Sequence, residues 1–252
     1  SFTVSDTSVA NVSSSTITII GGGSTVITLS QAEVNNYNAG VATMTLTVNK
    51  ASISITFDDL TKTYGDPKFE FTATSSSTGA FSFTISNTSI ATMVDSTTAS
   101  IAAVGTSTVE VQQAADDNYK SSTATMILTV IKADPTIVFN DLVKNINDPN
   151  FNFSVLSNST GAFSYVISDT NLATVIGSNV TILNLGSTLV TVNQASNTNY
   201  NSGSATMTLQ ILTDPVITFN DITKIYGDPD FKLTPTSTSP APFSFTISDT
   251  NI

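Results

Sequence analysis

The chain has 252 residues, 19 acidic against 8 basic, for a formal charge of −11, and it holds neither Cys nor His. These counts exclude disulfides, thiolate chemistry and the commonest general base and metal ligand, and the negative charge opposes binding to a phosphate backbone. Only 11% of the residues are charged, so Ser, Thr and Asn face solvent in their place.

The first ten residues, SFTVSDTSVA, state a phrase that returns as SFTISNTSIA at Ser82, SYVISDTNLA at Ser164 and SFTISDTNI at Ser244, in steps of 81, 82 and 80 residues. A fixed period of this size marks a tandem array of small domains. It divides the chain into a partial module at 1–50, complete modules at 51–133 and 134–213, and a second partial module at 214–252. A chain that opens in mid-module reads as a window on a longer array, so secretion or anchoring signals would lie elsewhere. A strand-sharing polymer, with 214–252 of one subunit completed by 1–50 of the next, is the rival reading. The phrase duplicated at Ser1 and Ser244 counts against it, because a complementing pair needs that strand once.

In the clearest copy, strands are predicted at Thr136–Phe139, Phe151–Leu156, Phe163–Ser168, Leu172–Val175, Asn179–Leu183, Thr188–Val192 and Ser204–Leu212. Phe163, Tyr165 and Ile167 share one face, as do Ala205, Met207, Leu209 and Ile211. Period-two alternation, β-branched enrichment and closely spaced turn residues give the fold class: all-β, in tandem immunoglobulin-like sandwiches of about 81 residues without the disulfide. No run is long and apolar enough to span a bilayer. The last strand of each module passes into the next through Lys50-Ala51-Ser52, Lys132-Ala133-Asp134-Pro135 or Thr213-Asp214-Pro215, with no Gly/Ser linker. Short stiff joints predict modules arranged end to end as a rod, each touching only its neighbours.

Turn chemistry repeats in register. Gly65, Asn147 and Gly227 share a column before Asp-Pro, which predicts a left-handed turn residue there. Gly23, Gly105 and Gly186 form another turn column. Tyr37, Tyr119 and Tyr200, each preceded by Asn, stand before the last strand, where a hydroxyl bond to nearby backbone is expected, in the manner of a tyrosine corner. A sugar-stacking role would need those rings exposed.

The runs KTYGDPKF, SSSTGAFSFTISNTSIAT and DDNY, with the closing TATMILTV, resemble bacterial Ig-like repeats of the MBG type, found in giant secreted surface proteins and adhesins. The resemblance covers both complete modules and both partial ones, and the third copy departs from it at Ile146-Asn147. It implies an extracellular stalk or fibre with no catalytic residues.

The adjacent carboxylates Asp58-Asp59 and Asp116-Asp117 point apart in a turn and make a poor acid/base pair, so no enzyme is expected. Asp59, Asp141 and Asp221 recur near the junction residues Asp134 and Asp214, and these five are the candidate calcium ligands. Asx-turn chemistry, in which Asp and Asn interchange, is the alternative, and no cofactor is otherwise expected. Lys62, Lys144 and Lys224 share a column that reads as a solvent-facing guard against edge pairing, or as one arm of a Lys–Asn cross-link. Sequons at Asn11, Asn87, Asn152, Asn158 and Asn179 matter only on a eukaryotic-type secretory route. The function expected is a structural segment of an extracellular, cell-surface fibre or adhesin stalk, acting by projection, adhesion or filament assembly. A directly ligand- or carbohydrate-binding module and a viral fibre or decoration protein are the alternatives. The partners expected are neighbouring modules, lateral copies or surface glycans.

Overall fold

The structure, a computed structural model, describes residues 1–248. Every regular element among them is a strand, and two compact units emerge. One comprises Ser1–Asp134 with the hexapeptide Ser196–Asn201, and the other Pro135–Ala195 with the chain from Ser202 on. Among the described residues no helix is long and apolar enough to cross a membrane.

The first unit opens with β1 (Phe2–Val4), β2 (Ala10–Ser13), β3 (Thr16–Ile19), β4 (Gly23–Gln31) and β5 (Gly40–Val48). They form a sheet in the order β1-β4-β5 and a β2-β3 ribbon. A sandwich follows, from β6 (Leu60–Thr63), β7 (Phe69–Glu70), β8 (Phe81–Ile85), β9 (Ala91–Met93), β10 (Thr98–Ile101), β11 (Gly105–Gln113) and β12 (Ser122–Ile131). Its sheets run β6-β12-β11-β8 and β7-β10-β9. Only β6 pairs parallel, with β12. Seven strands split four and three in this order are the immunoglobulin-like arrangement.

Alternation drives the packing. Val109, Val111, Met126, Leu128 and Val130 of β11 and β12 are buried, while their neighbours along each strand face outward. Phe71 lies against Phe57, Phe69 and Phe83 at ring-centroid distances of 6.2, 5.4 and 5.6 Å. Each fully buried side chain of this size contributes about 1.5–3 kcal/mol, which sustains a small domain without a disulfide.

The second unit repeats the scheme with β13 (Ile137–Val138), β14 (Leu142–Asn145), β15 (Phe151–Asn152), β16 (Leu156–Ser157), β17 (Phe163–Ile167), β18 (Ala173–Ile176), β19 (Asn179–Ile182), β20 (Gly186–Gln194) and β21 (Gly203–Leu212). Its main sheets run β14-β21-β20-β17 and β15-β19-β18. A short β22 (Ile217–Thr218) and β23 (Thr236–Ser237) pair beyond them. The phrase at Ser244 lies partly outside the described residues.

The strand predicted over 151–156 is two: β15 pairs with β19 and β16 with β13, so the chain crosses between sheets at 153–155. The strand predicted over 188–192 extends to Gln194, a polar residue that is nonetheless buried. Gly65 and Gly227 take positive φ (88° and 101°), but Asn147 does not. There the Asn145 side chain accepts the Asn147 N–H at 3.0 Å, and the turn closes without a positive φ. Asp66, Asp148 and Asp228 staple all three turns by accepting the N–H of Thr63, Asn145 and Ile225.

The second glycine column opens strands. Gly105 has φ 148°, and a Cβ on it would lie 2.5 Å from Ile90 Cδ1, so both conformation and space require glycine.

Candidate functional site

The constellation that recurs with the same atoms is a clasp built on the Asn-Tyr loops. In β11–β12 the loop begins at Asp116. Its Oδ1 accepts the N–H groups of Asn118 and Tyr119, both at 2.8 Å. Its Oδ2 accepts the Ser77 hydroxyl at 2.7 Å and the Thr78 N–H at 2.9 Å. These bonds, the Ser77 hydroxyl foremost, hold the Asp116 carboxyl well below the usual carboxylate range. Asn197 takes this place in the later loop, where its Oδ1 accepts the Asn199 and Tyr200 N–H groups at 2.9 and 2.8 Å. A neutral amide carbonyl reproduces that half of the job.

So shaped, each loop grips the chain just after the preceding long strand. Asn118 Oδ1 accepts the Gly22 N–H at 2.9 Å, and its carbonyl accepts the Ala51 N–H at 2.8 Å. Lys120 N–H donates to the Ala51 carbonyl at 2.9 Å, and Lys50 Nζ donates to the Asp116 carbonyl. Within the same unit the hexapeptide Ser196–Asn201 repeats every bond. Asn199 Oδ1 accepts from Val104 N–H at 3.2 Å, Ala133 N–H donates to the Asn199 carbonyl at 3.1 Å, and Asn201 N–H donates to the Ala133 carbonyl at 2.8 Å. Lys132 Nζ donates to the Asn197 carbonyl at 2.7 Å. This second clasp adds an edge-to-face contact of the Tyr64 and Tyr200 rings, centroids 5.5 Å apart.

The tyrosines therefore act through their backbones and rings. Tyr119 pairs with Ala51 and Tyr200 with Ala133 as parallel bridges. Tyr37 is 77% exposed. The expected hydroxyl bonds are absent among the described residues.

A second recurring device was not foreseen from the sequence. Gln113 and Gln194 are each 1% exposed, at the ends of β11 and β20. Gln113 Oε1 accepts the Ser75 hydroxyl at 2.6 Å, and its Nε2 donates to the carbonyls of Ser77 and Gly79 at 3.1 and 2.9 Å. Gln194 does the same with Ser157, Ser159 and Gly161. A Cβ on Gly79 would stand 1.9 Å from the Ala114 carbonyl, and on Gly161 1.8 Å from that of Ala195. The signal was present in the repeated S-x-S-x-G run and in the Gln one period apart.

The candidate calcium ligands are placed separately. Asp59 Oδ1 accepts the Ile127 N–H at 2.7 Å, and Asp141 Oδ1 the Thr208 N–H at 2.6 Å. Each carboxylate thus satisfies the strand beside which β6 or β14 begins. Asp134 Oδ1 accepts from Asn201 Nδ2 at 2.8 Å. Asp214 and Asp221 are exposed. Among the described residues no three acidic side chains are gathered into a metal-binding group. Lys62, Lys144 and Lys224 do not simply face solvent: their ammonium groups lie 5.0, 4.7 and 5.2 Å above the rings of Phe69, Phe151 and Phe231.

No family model and no curated protein matches the chain. Among solved structures, it is similar to Drosophila N-cadherin EC1-4 at 11% identity and a TM-score of 0.33, over 84% of this chain and 66% of that one. It is similar to the S-layer protein SbsC at 13% identity and a TM-score of 0.30, over 86% of this chain and 36% of that one. For titin domains z1z2 in complex with telethonin the values are 14% and 0.30, over 66% and 100%.

Proposed function

We propose that this chain is a structural segment of a long extracellular fibre or adhesin stalk. Its immunoglobulin-like modules are of the bacterial MBG type, divided at 50/51, 133/134 and 213/214. It works mechanically, by holding modules in succession, and carries no catalytic site. The observation that supports this reading is the clasp itself. The same backbone and side-chain atoms are bonded at Gly22–Asn118 and Val104–Asn199, which turns a covalent joint into a stiff one. Stiffness here comes from hydrogen bonds, with no calcium assigned to Asp59, Asp134, Asp141, Asp214 or Asp221.

Small-angle scattering of the whole chain tests the reading. A rise of roughly 35–45 Å per module is expected for sandwiches whose strands run lengthwise. The double variant Asn118→Ala/Asn199→Ala should broaden the distance distribution. A compact particle around a shared interior overturns the proposal.

A further inference from the structure

The four-stranded sheet of each complete sandwich has two unlike edges. One is β6 or β14, which carries Lys62 or Lys144 and begins just after Asp59 or Asp141. The other is β8 or β17, FSFTI and FSYVI, with no charged residue, no Pro and no Gly. At five residues these are also the longest edge strands of their sandwiches, since β7 and β15 have two, β9 three and β18 four. Sheet edges are ordinarily blunted by charge, by Pro, by a bulge or by brevity. Here the unguarded run belongs to the phrase that sets the repeat, and FSFTI stands again at 243–247.

The backbone of both edges is open, with every strand of its own sandwich in place. Ala114 N–H donates to the Ala80 carbonyl at 2.9 Å and Ser86 N–H to the Thr108 carbonyl at 3.0 Å, one bond on either side of β8. Antiparallel bonding alternates, so Ser82 and Thr84 direct their backbone groups to β11 while Phe81, Phe83 and Ile85 direct theirs outward. The bonds from Ala195 N–H to the Ala162 carbonyl and from Ser168 N–H to the Leu189 carbonyl, both 2.9 Å, set the same phase in β17. Phe163, Tyr165 and Ile167 are therefore the outward set there. None of these six residues has a backbone partner at the free edge among the described residues. An open cleft of about 510 Å³, lined by Phe163, Tyr165, Gly177 and Ser178 among others, leaves the first half of β17 uncovered.

We propose that these edges pair, antiparallel, with the same edge of a second copy of this chain, joining two four-stranded sheets into one of eight. The strand is its own complement. Turned about a two-fold axis at Phe83, Phe81 meets Ile85 of the other copy, Phe83 meets its counterpart, and the outward N–H and carbonyl groups of all three residues are satisfied. β17 does the same about Tyr165. Like faces like across the join, because Phe83 and Ile85 turn toward their own core while Ser82 and Thr84 are exposed. No charge within either strand opposes another. One such contact is small and weak, but two edges per chain let copies add laterally and gain by multivalency. The inference deepens the fibre reading by giving it a lateral contact, and it is independent of the clasps.

Amide exchange and sedimentation velocity of the whole chain, up to several hundred micromolar, test this. In dilute solution the amides of Thr84 and Val166 should be protected and those of Phe83 and Tyr165 should exchange freely. As concentration rises the Phe83 and Tyr165 amides should slow while oligomers appear. Added salt should strengthen association, because the edge is neutral and each chain carries −11. The double variant Thr84→Lys/Val166→Lys sets like charges diagonally across each join and should weaken association about tenfold or more. Thr84→Glu/Val166→Glu should do the same alone, and an equimolar mixture of the two variants should pair again. Both positions are exposed, and thermal melts check that folding is kept. A chain that stays monomeric, oligomers in which Phe83 and Tyr165 still exchange freely, lysine variants that associate like wild type, or a mixture that fails to pair would each overturn the proposal. The stalk reading is judged separately, by scattering from the dilute chain.

Discussion

Asn118 and Gly22 are 96 residues apart in the chain, yet the Asn118 Oδ1 accepts the Gly22 N–H at 2.9 Å. The bond ties the β11–β12 loop to the turn that opens β4. Asn118→Ala removes the acceptor and leaves the loop turn, which Asp116 shapes, in place. We expect a loss of about 1 kcal/mol in urea unfolding, and faster hydrogen exchange at the Gly22 amide. Asp117→Ala, next door, should change neither. Asn199→Ala should repeat the effect at Val104.

Asp116 makes the first clasp sensitive to acid. Its carboxyl is held below the ordinary value of 3.8 by the Ser77 hydroxyl and by the N–H groups of Thr78, Asn118 and Tyr119. A group with a depressed folded pKa stabilises the native state above its unfolded pKa, and that contribution fades as pH falls toward the folded value. The first clasp should therefore loosen from about pH 4 downward, read as rising exchange at Gly22. Asp116→Asn should abolish this acid step. The second clasp, shaped by Asn197, should lack it already.

How far the fold was legible follows from where the signals lie. The alternation of Met207, Leu209 and Ile211 announces a long strand with one buried face, and burial of those residues follows it. The chain crossing at 153–155 was not readable, since Phe151 and Phe153 keep one alternation while the backbone changes partners. The clasp was half visible. The Asn-Tyr column is plain in the sequence, but the bond between Asn118 and Gly22 has no local pattern. Gln113 was missed because a polar residue at a strand end reads as exposed, whereas its amide is matched on three sides.

That Gln supplies a third prediction. Gln113→Leu keeps the volume and leaves the Ser75 hydroxyl and the Ser77 and Gly79 carbonyls without their partner. We expect a loss of about 2 kcal/mol or more in chemical denaturation. Gln112→Leu, one residue away on the exposed face, should cost far less. Gln194→Leu should match Gln113→Leu, since its partners are the same in kind.

Asp59 and Asp141 separate hydrogen bonding from metal binding. Each gives one carboxylate oxygen to a strand N–H, Ile127 or Thr208, that lies beside the start of a parallel pairing. An amide carbonyl accepts that N–H as well, whereas a calcium site loses charge when Asp becomes Asn. Asp59→Asn should therefore stay within about 0.5 kcal/mol of wild type, and Asp59→Ala should cost about 1 kcal/mol. Melting curves with millimolar calcium and with chelator should coincide for all three chains. A calcium-dependent rise in melting temperature that Asp59→Asn removes would return these carboxylates to the role of metal ligands.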